Sequence, residues 1–162
     1  MKKVFVSGGS GYIALHCIAA LIKKGFLVRT SIRSLERKKE IIDSLLNVID
    51  CNGKIEFCEL DLLKDDGWDD AIKGCEYVLH TASPVSLLLS NNPDDLIKPA
   101  VEGLERCLKS AVKNKVKRFV MTSSFSAVGA GSKIKELDDD NWTDLNSPNI
   151  SPYDISKTKA EM

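Results

Sequence analysis

The sequence is short of the features that mark several classes of protein. It has no net charge: lysine plus arginine equals aspartate plus glutamate, 23 of each. Nothing in that balance points to nucleic acid or to an acidic membrane surface as a partner. No apolar run approaches the length of a membrane span. The opening stretch Met1–Gly8 is broken by Ser7 and two glycines, too short for a signal peptide. The five cysteines, Cys17, Cys51, Cys58, Cys75 and Cys107, are odd in number and include no CxxC pair. A disulfide framework and a zinc site are therefore not expected, and reduced thiols in a cytoplasmic protein are. No repeat of fixed period is visible. The oligomeric state is left open.

What is present fits one soluble domain. The 162 residues are 43% hydrophobic and 28% charged, enough to close a core. Short β-rich runs alternate with helical stretches. Strands are predicted at Lys3–Ser7, Phe26–Ile32, Lys54–Leu60, Tyr77–Thr81 and Arg118–Ser123. Helices are predicted at Gly11–Lys24, Leu35–Val48, Trp68–Lys73, Asp94–Asn114 and from Pro152 to the end. Ile13, Cys17, Ala20 and Leu21 read as the inner stripe of the first helix, which Gly25 stops. Leu96, Ala100, Leu104 and Leu108 read as that of the fourth. Runs such as Tyr77-Val78-Leu79 and Phe119-Val120-Met121 suggest strands covered on both faces. The fold class is α/β, a Rossmann-type doubly wound parallel sheet with helices on both faces. The polar loop Val128–Ser151 is long for a plain connection, which suggests a functional one.

Four motifs carry chemistry. Ser7-Gly8-Gly9-Ser10-Gly11-Tyr12-Ile13-Ala14 lies between the first strand and the first helix. One glycine turns the chain tightly, another admits a pyrophosphate, and Ala14 lets helix pack on strand. The helix amino end then offers N–H groups and a positive dipole to phosphate. No acidic residue occurs between Phe26 and Leu35, where an NAD enzyme places the carboxylate for its ribose. Arg33 stands there, followed by Arg37, Lys38 and Lys39, so a 2′-phosphate is favoured and NADP(H) is preferred over NAD(H). Asp61, in Leu60-Asp61-Leu62, reads equally as an acceptor for an adenine amino group or as a turn aspartate. Finally, Thr122-Ser123-Ser124 ends the fifth strand, and Tyr153 and Lys157 lie four apart on a helix, hence on one face. An ammonium beside a phenol favours its ionised form, and a serine hydroxyl can hold a substrate oxygen. Lys157 can also pair with Glu161. His16 reads as structural or surface, His80 as a packed strand residue rather than an acid or base, and Trp68 and Trp142 carry no assigned function.

Together these residues resemble the extended short-chain dehydrogenase/reductase family, within the epimerase/dehydratase superfamily. The match is closest to its dihydroflavonol reductase-like branch, with cinnamoyl-CoA reductases and yeast-type carbonyl reductases. The resemblance covers nearly the whole chain. It rests on the glycine motif, Ser31-Ile32-Arg33, Leu60-Asp61-Leu62, Val78–Pro84, Lys98–Gly103, Arg118–Ser124, and Tyr153 with Ser156-Lys157. It implies NADPH-dependent reduction of a small-molecule ketone or aldehyde. By the family's pattern Ser124 orients the carbonyl, Tyr153 donates the proton, and Lys157 tunes Tyr153 and binds the nicotinamide ribose. The match places Gly8, Gly9, Gly11, Tyr12 and Ile13 at the phosphate turn. It places Arg33, with Lys39 beside it, at the 2′-phosphate, Asp61 and Leu62 at the adenine, and Thr81, Ala82 and Ser83 beside pyrophosphate and ribose. An NAD-dependent nucleotide-sugar epimerase or dehydratase is one alternative, and a non-catalytic nucleotide-binding module is another. Family members are much longer, so residues 1–162 read as the dinucleotide-binding domain with the substrate domain missing.

Overall fold

The computed structural model describes residues 1–85, 92–133 and 136–162. Residues 134–135 of the long polar loop lie outside the described set. The chain divides into two compact units, Met1–Ala82 with Glu105–Thr122, and Ser83–Leu104 with Ser123–Met162.

The first unit is built on a parallel sheet of β1 (Lys3–Ser7), β2 (Leu27–Ile32), β3 (Ile55–Glu59), β4 (Tyr77–His80) and β5 (Arg118–Met121), in the order β3-β2-β1-β4-β5. The expected parallel α/β sheet is present, with strand ends within two residues of those read from the sequence. The central strand β1 buries Val4, Phe5 and Val6 in succession, and their alternation feeds two cores. Val4 and Val6 pack with Val28 and Ile32, with Ala14, Ile18 and Ile22 of α1 (Tyr12–Lys23), and with Ile41 and Leu45 of α2 (Lys38–Leu46). Phe5 points the other way, to Val78, to Trp68 and Ile72 of α3 (Trp68–Ile72), and to Cys107 and Ala111 of α4 (Asp94–Lys113). Burying such side chains on both faces is what fixes the register, since a slip of one residue would turn each core outward. In that register Val4 faces Val28 and Phe5 faces Val78.

Three details differ from the sequence reading. The buried row of α1 is Ala14-Ile18-Ile22; Ile13 is exposed and Cys17 and Ala20 lie off the core. The helix is apolar almost all round, so spacing alone cannot choose the stripe, and packing on β1 and β2 does. In α4 the buried row runs Ala100, Leu104, Cys107, Ala111, while Leu108 is exposed, because a helix of 3.6 residues per turn drifts off a strict spacing of four. Strand β5 is not covered on both faces: it lies at one side of the sheet, and Arg118 and Val120 are exposed.

Polar ties hold α3 in the first unit. Arg29 of β2 donates Nε to Glu56 at 2.8 Å and one terminal nitrogen to the carbonyls of Asp70, Ala71 and Lys73, at 3.0 Å each. A guanidinium at a helix carboxyl end satisfies carbonyls that the helix leaves open. On the other side of α3, Ser110 donates to Asp69 at 2.6 Å and Lys113 pairs with the same carboxylate.

The second unit contains α5 (Phe125–Val128) and α6 (Pro152–Glu161), which pack on each other. Ser151 caps α6 reciprocally: its hydroxyl accepts from Asp154 N, and the Asp154 carboxylate accepts from Ser151 N at 2.7 Å. Thr143 staples the polar loop to α5. Its hydroxyl donates to Ser126 O and accepts from Ala130 N, both at 2.8 Å, and its N–H donates to Ala127 O. Among the described residues no helix is long and apolar enough to cross a membrane.

Candidate functional site

The turn after β1 is shaped by what surrounds each glycine. Gly8 has φ +72°, and a Cβ there would stand 3.0 Å from Ala82 Cα and Cβ. Its N–H donates to Ser31 Oγ at 3.1 Å. Gly9 N donates to Ser31 O at 2.7 Å, and a Cβ on Gly9 would collide with the Thr30 hydroxyl. Thr30 cannot easily yield, because it is fully buried and its Oγ1 donates to Val6 O at 2.7 Å. Gly11 closes the turn through Gly11 N to Gly8 O at 2.8 Å and becomes the N-cap of α1. No side chain caps that helix. Its amino end therefore keeps N–H groups and dipole available to an anion. Tyr12, 78% exposed, and Ile13 begin the helix at the surface, and Tyr12 makes an edge-to-face contact with His16.

The ends of β1 and β4 are tied beside this turn. Thr81 Oγ1 donates to Ser7 O at 2.6 Å, and the N–H groups of Thr81 and Ala82 each donate to Ser7 Oγ at 3.0 Å. Ser7 and His80 are buried and face each other in register, with Ser7 Oγ 3.1 Å from His80 Nδ1. Neither Ser7 nor Ser31 was singled out by sequence reasoning for a bond it makes. The one available signal was the pairing of a hydroxyl and an imidazole at the carboxyl ends of adjacent strands, which is invisible until the strand order is known.

The residues read as serving the adenosine end are arranged less tightly. Arg33 follows β2 and is exposed. Lys39 is exposed and paired with Asp43 at 2.7 Å on its own helix, and Arg37 is paired with Glu40 at 3.0 Å. Asp61 Oδ1 accepts from Leu63 N at 2.9 Å, which is the turn role weighed in the sequence. Leu62 is half-buried and its carbonyl accepts from Arg106 at 2.8 Å.

In the second unit Ser83 is half-buried. Ser124 is the N-cap of α5 and accepts from Ser126 N at 3.2 Å. That four-residue helix has no periodic signal, so the sequence reading ran the strand on to Ser123 instead. Tyr153 and Lys157 share one face of α6, as the spacing of four requires, with Tyr153 half-buried and Lys157 buried. Burial pushes the Lys157 ammonium below the ordinary lysine value, and the charge of Glu161 opposes that shift. The Glu161 carboxylate itself accepts from Ser123 Oγ at 2.6 Å. Among the described residues no cluster of histidine, cysteine or carboxylates could hold a metal ion.

Comparison with known proteins agrees with this architecture. The model of the NAD dependent epimerase/dehydratase family matches residues 4–162. Vestitone reductase of Medicago sativa is 36% identical over 98% of this chain and 51% of its own length. Anthocyanidin reductase of Arabidopsis thaliana is 35% identical over 99% of this chain and 49% of its own length. Among solved structures, yeast methylglyoxal/isovaleraldehyde reductase Gre2 complexed with NADPH superposes with a TM-score of 0.83 at 32% identity. That match covers 98% of this chain and 50% of that one. The chain thus spans about half the length of the relatives it matches. On sequence and structure alike, it belongs to the NAD dependent epimerase/dehydratase family.

Proposed function

We propose that this chain is the dinucleotide-binding part of an NADPH-dependent reductase that converts a ketone or aldehyde carbonyl to an alcohol. The observation that carries the reading is the glycine turn. A Cβ on Gly8 or Gly9 would meet Ala82 or Thr30, so only glycine lets the turn run this close to its neighbours, and Gly11 leads into a helix with no side-chain cap. That cradle fits a pyrophosphate. Gly8, Gly9, Gly11, Tyr12 and Ile13 would hold it, with Thr81, Ala82 and Ser83 nearby in sequence to the β4 end. Arg33, followed by Lys39, would meet the 2′-phosphate, and Asp61 with Leu62 the adenine. When bound, the nicotinamide supplies the hydride.

The chain's own residues do the rest. Ser124 offers a hydroxyl to hold the carbonyl oxygen. Tyr153 gives that oxygen its proton. Lys157, held from the same helix face, stabilises the phenolate left behind and bonds the nicotinamide ribose. The relatives support the reading by their names, vestitone reductase and anthocyanidin reductase among them, and the structural neighbour Gre2 by its complex with NADPH. The absence of a carboxylate between Phe26 and Leu35, with Arg33 in its stead, weighs against an NAD-dependent epimerase.

Titration of nicotinamide fluorescence with NADPH and NADH tests the binding half. NADPH is expected to bind at least about tenfold more tightly, and Arg33→Ser to remove most of that preference. Equal affinity for the two, or tighter NADH, would overturn it. NADPH oxidation with a panel of aldehydes and ketones tests the chemistry, and Tyr153→Phe is expected to abolish any turnover seen.

A further inference from the structure

The buried hydroxyl of Ser7 accounts for more of the turn than its size suggests. Among the described residues Ser7 Oγ has three hydrogen-bond neighbours: Thr81 N and Ala82 N, each at 3.0 Å, and His80 Nδ1 at 3.1 Å. A hydroxyl has two lone pairs and one hydrogen. Two backbone N–H groups can only donate, so they occupy both lone pairs. The single Ser7 hydrogen must then go to His80, and His80 Nδ1 must be the bare, accepting nitrogen. The ring plane is held by stacking on Phe119, with centroids 6.1 Å apart and planes 24° from parallel. Both side chains are buried, Ser7 completely, so water does not replace a lost partner without cost.

The two N–H groups gathered by Ser7 belong to the two residues that follow β4. Ala82 is the neighbour that a Cβ on Gly8 would touch, and Thr81 closes back on Ser7 O through its hydroxyl. We propose that His80 is a positioning residue. Held as the Nε2–H tautomer, it takes the Ser7 hydrogen, aims both Ser7 lone pairs at Thr81 and Ala82, and so sets the backbone that lies against Gly8. Its effect on cofactor affinity rests on the reading of the site given above; the tautomer and the protection of the two N–H groups do not.

The test uses the full chain, labelled with nitrogen-15. A long-range proton–nitrogen spectrum of the imidazoles reads the tautomer directly, and Nε2–H is expected for His80. Amide exchange at Thr81 and Ala82 reads the tie. His80→Leu removes the acceptor and is expected to speed exchange at both amides by about tenfold relative to Val28 in β2. His80→Asn places an amide oxygen where Nδ1 accepted, and it is expected to restore protection to within about threefold. NADPH affinity should follow the same order, about tenfold weaker for the leucine variant and near that of the parent for asparagine. An Nδ1–H tautomer in the unmodified chain overturns the proposal without any variant. So does unchanged exchange in His80→Leu, or an asparagine variant as unprotected as the leucine one. If the parent chain binds no nicotinamide nucleotide, the reductase reading fails, while the tautomer and exchange results still decide the role of His80.

Discussion

Replacing Gly9 with alanine tests the demand that Thr30 makes on that position from inside the core. A Cβ on Gly9 would overlap Thr30 Oγ1 and lie 2.8 Å from Cγ2 and 3.0 Å from Cβ. Overpacking of this kind costs about 1–3 kcal/mol. If Thr30 turns away, its bond to Val6 O is lost inside the core, at about 1–3 kcal/mol. The stiffer unfolded chain gives back about 0.4–1 kcal/mol. Gly9→Ala should therefore destabilise the chain by about 3 kcal/mol. Thr30→Ala alone should cost about 2 kcal/mol, from the lost bond and a small void. In the double variant both the hydroxyl and the methyl that oppose the new Cβ are gone. Its loss should be close to that of Thr30→Ala alone, a coupling of about 2–3 kcal/mol between the two sites. Urea denaturation without any nucleotide measures all three, as shifts of midpoint at constant slope. Losses that add to within about 0.5 kcal/mol would refute the reasoning, since sites that do not touch behave that way.

Arg29→Met removes three carbonyl bonds at the end of α3 from a side chain only 20% exposed, and should cost about 2 kcal/mol in the same assay. Arg29→Lys should recover little of it, because an ammonium cannot reproduce the fork. The Lys3 ammonium, followed by Arg29, holds the Glu56 carboxyl below its ordinary value of 4.5. Its contribution is thus present above pH 4.5 and is lost as the pH falls through the lowered value, so Glu56→Gln should flatten the acid limb of a stability-against-pH curve. Burial pushes the Cys58 thiol up to about 11 and raises Cys107 further, so neither should be alkylated by iodoacetamide in the native chain at neutral pH. Labelling of Cys107 should appear only as urea unfolds the protein, as mass spectrometry of the labelled peptides would show.

The sequence made the order of elements readable because each strand is a short apolar run bounded by turn residues, and each long helix is amphipathic. The left-handed Gly25, with φ +83°, ends α1 where the residue type suggested. The α1 stripe was not readable, since Ile13-Cys17 and Ala14-Ile18-Ile22 are equally apolar rows and only the sheet distinguishes them. The site was legible where a motif is local, as in the glycine turn and the Tyr153–Lys157 spacing. Ser124 as a helix cap was missed because the four-residue helix it caps has no periodic signal, and the rest was illegible where partners are distant: Thr30 against Gly9, and Ser7 with His80 across 73 residues. Those relations depend on strand order and register, which no window of sequence contains.

The alternation along β1 has a consequence for how the molecule forms. As the chain emerges, β1, α1, β2, α2 and β3 can assemble among themselves, because the buried members of the core around Val4 and Val6 all lie within the first 60 residues. Phe5 has no such early company. Its neighbours Val78, Cys107 and Ala111 come later in the chain, so a β1 paired only with its early neighbours would have one flank sheltered and the other wet. A holdase chaperone should therefore bind a chain halted at that half-clad stage through the uncovered Phe5 flank.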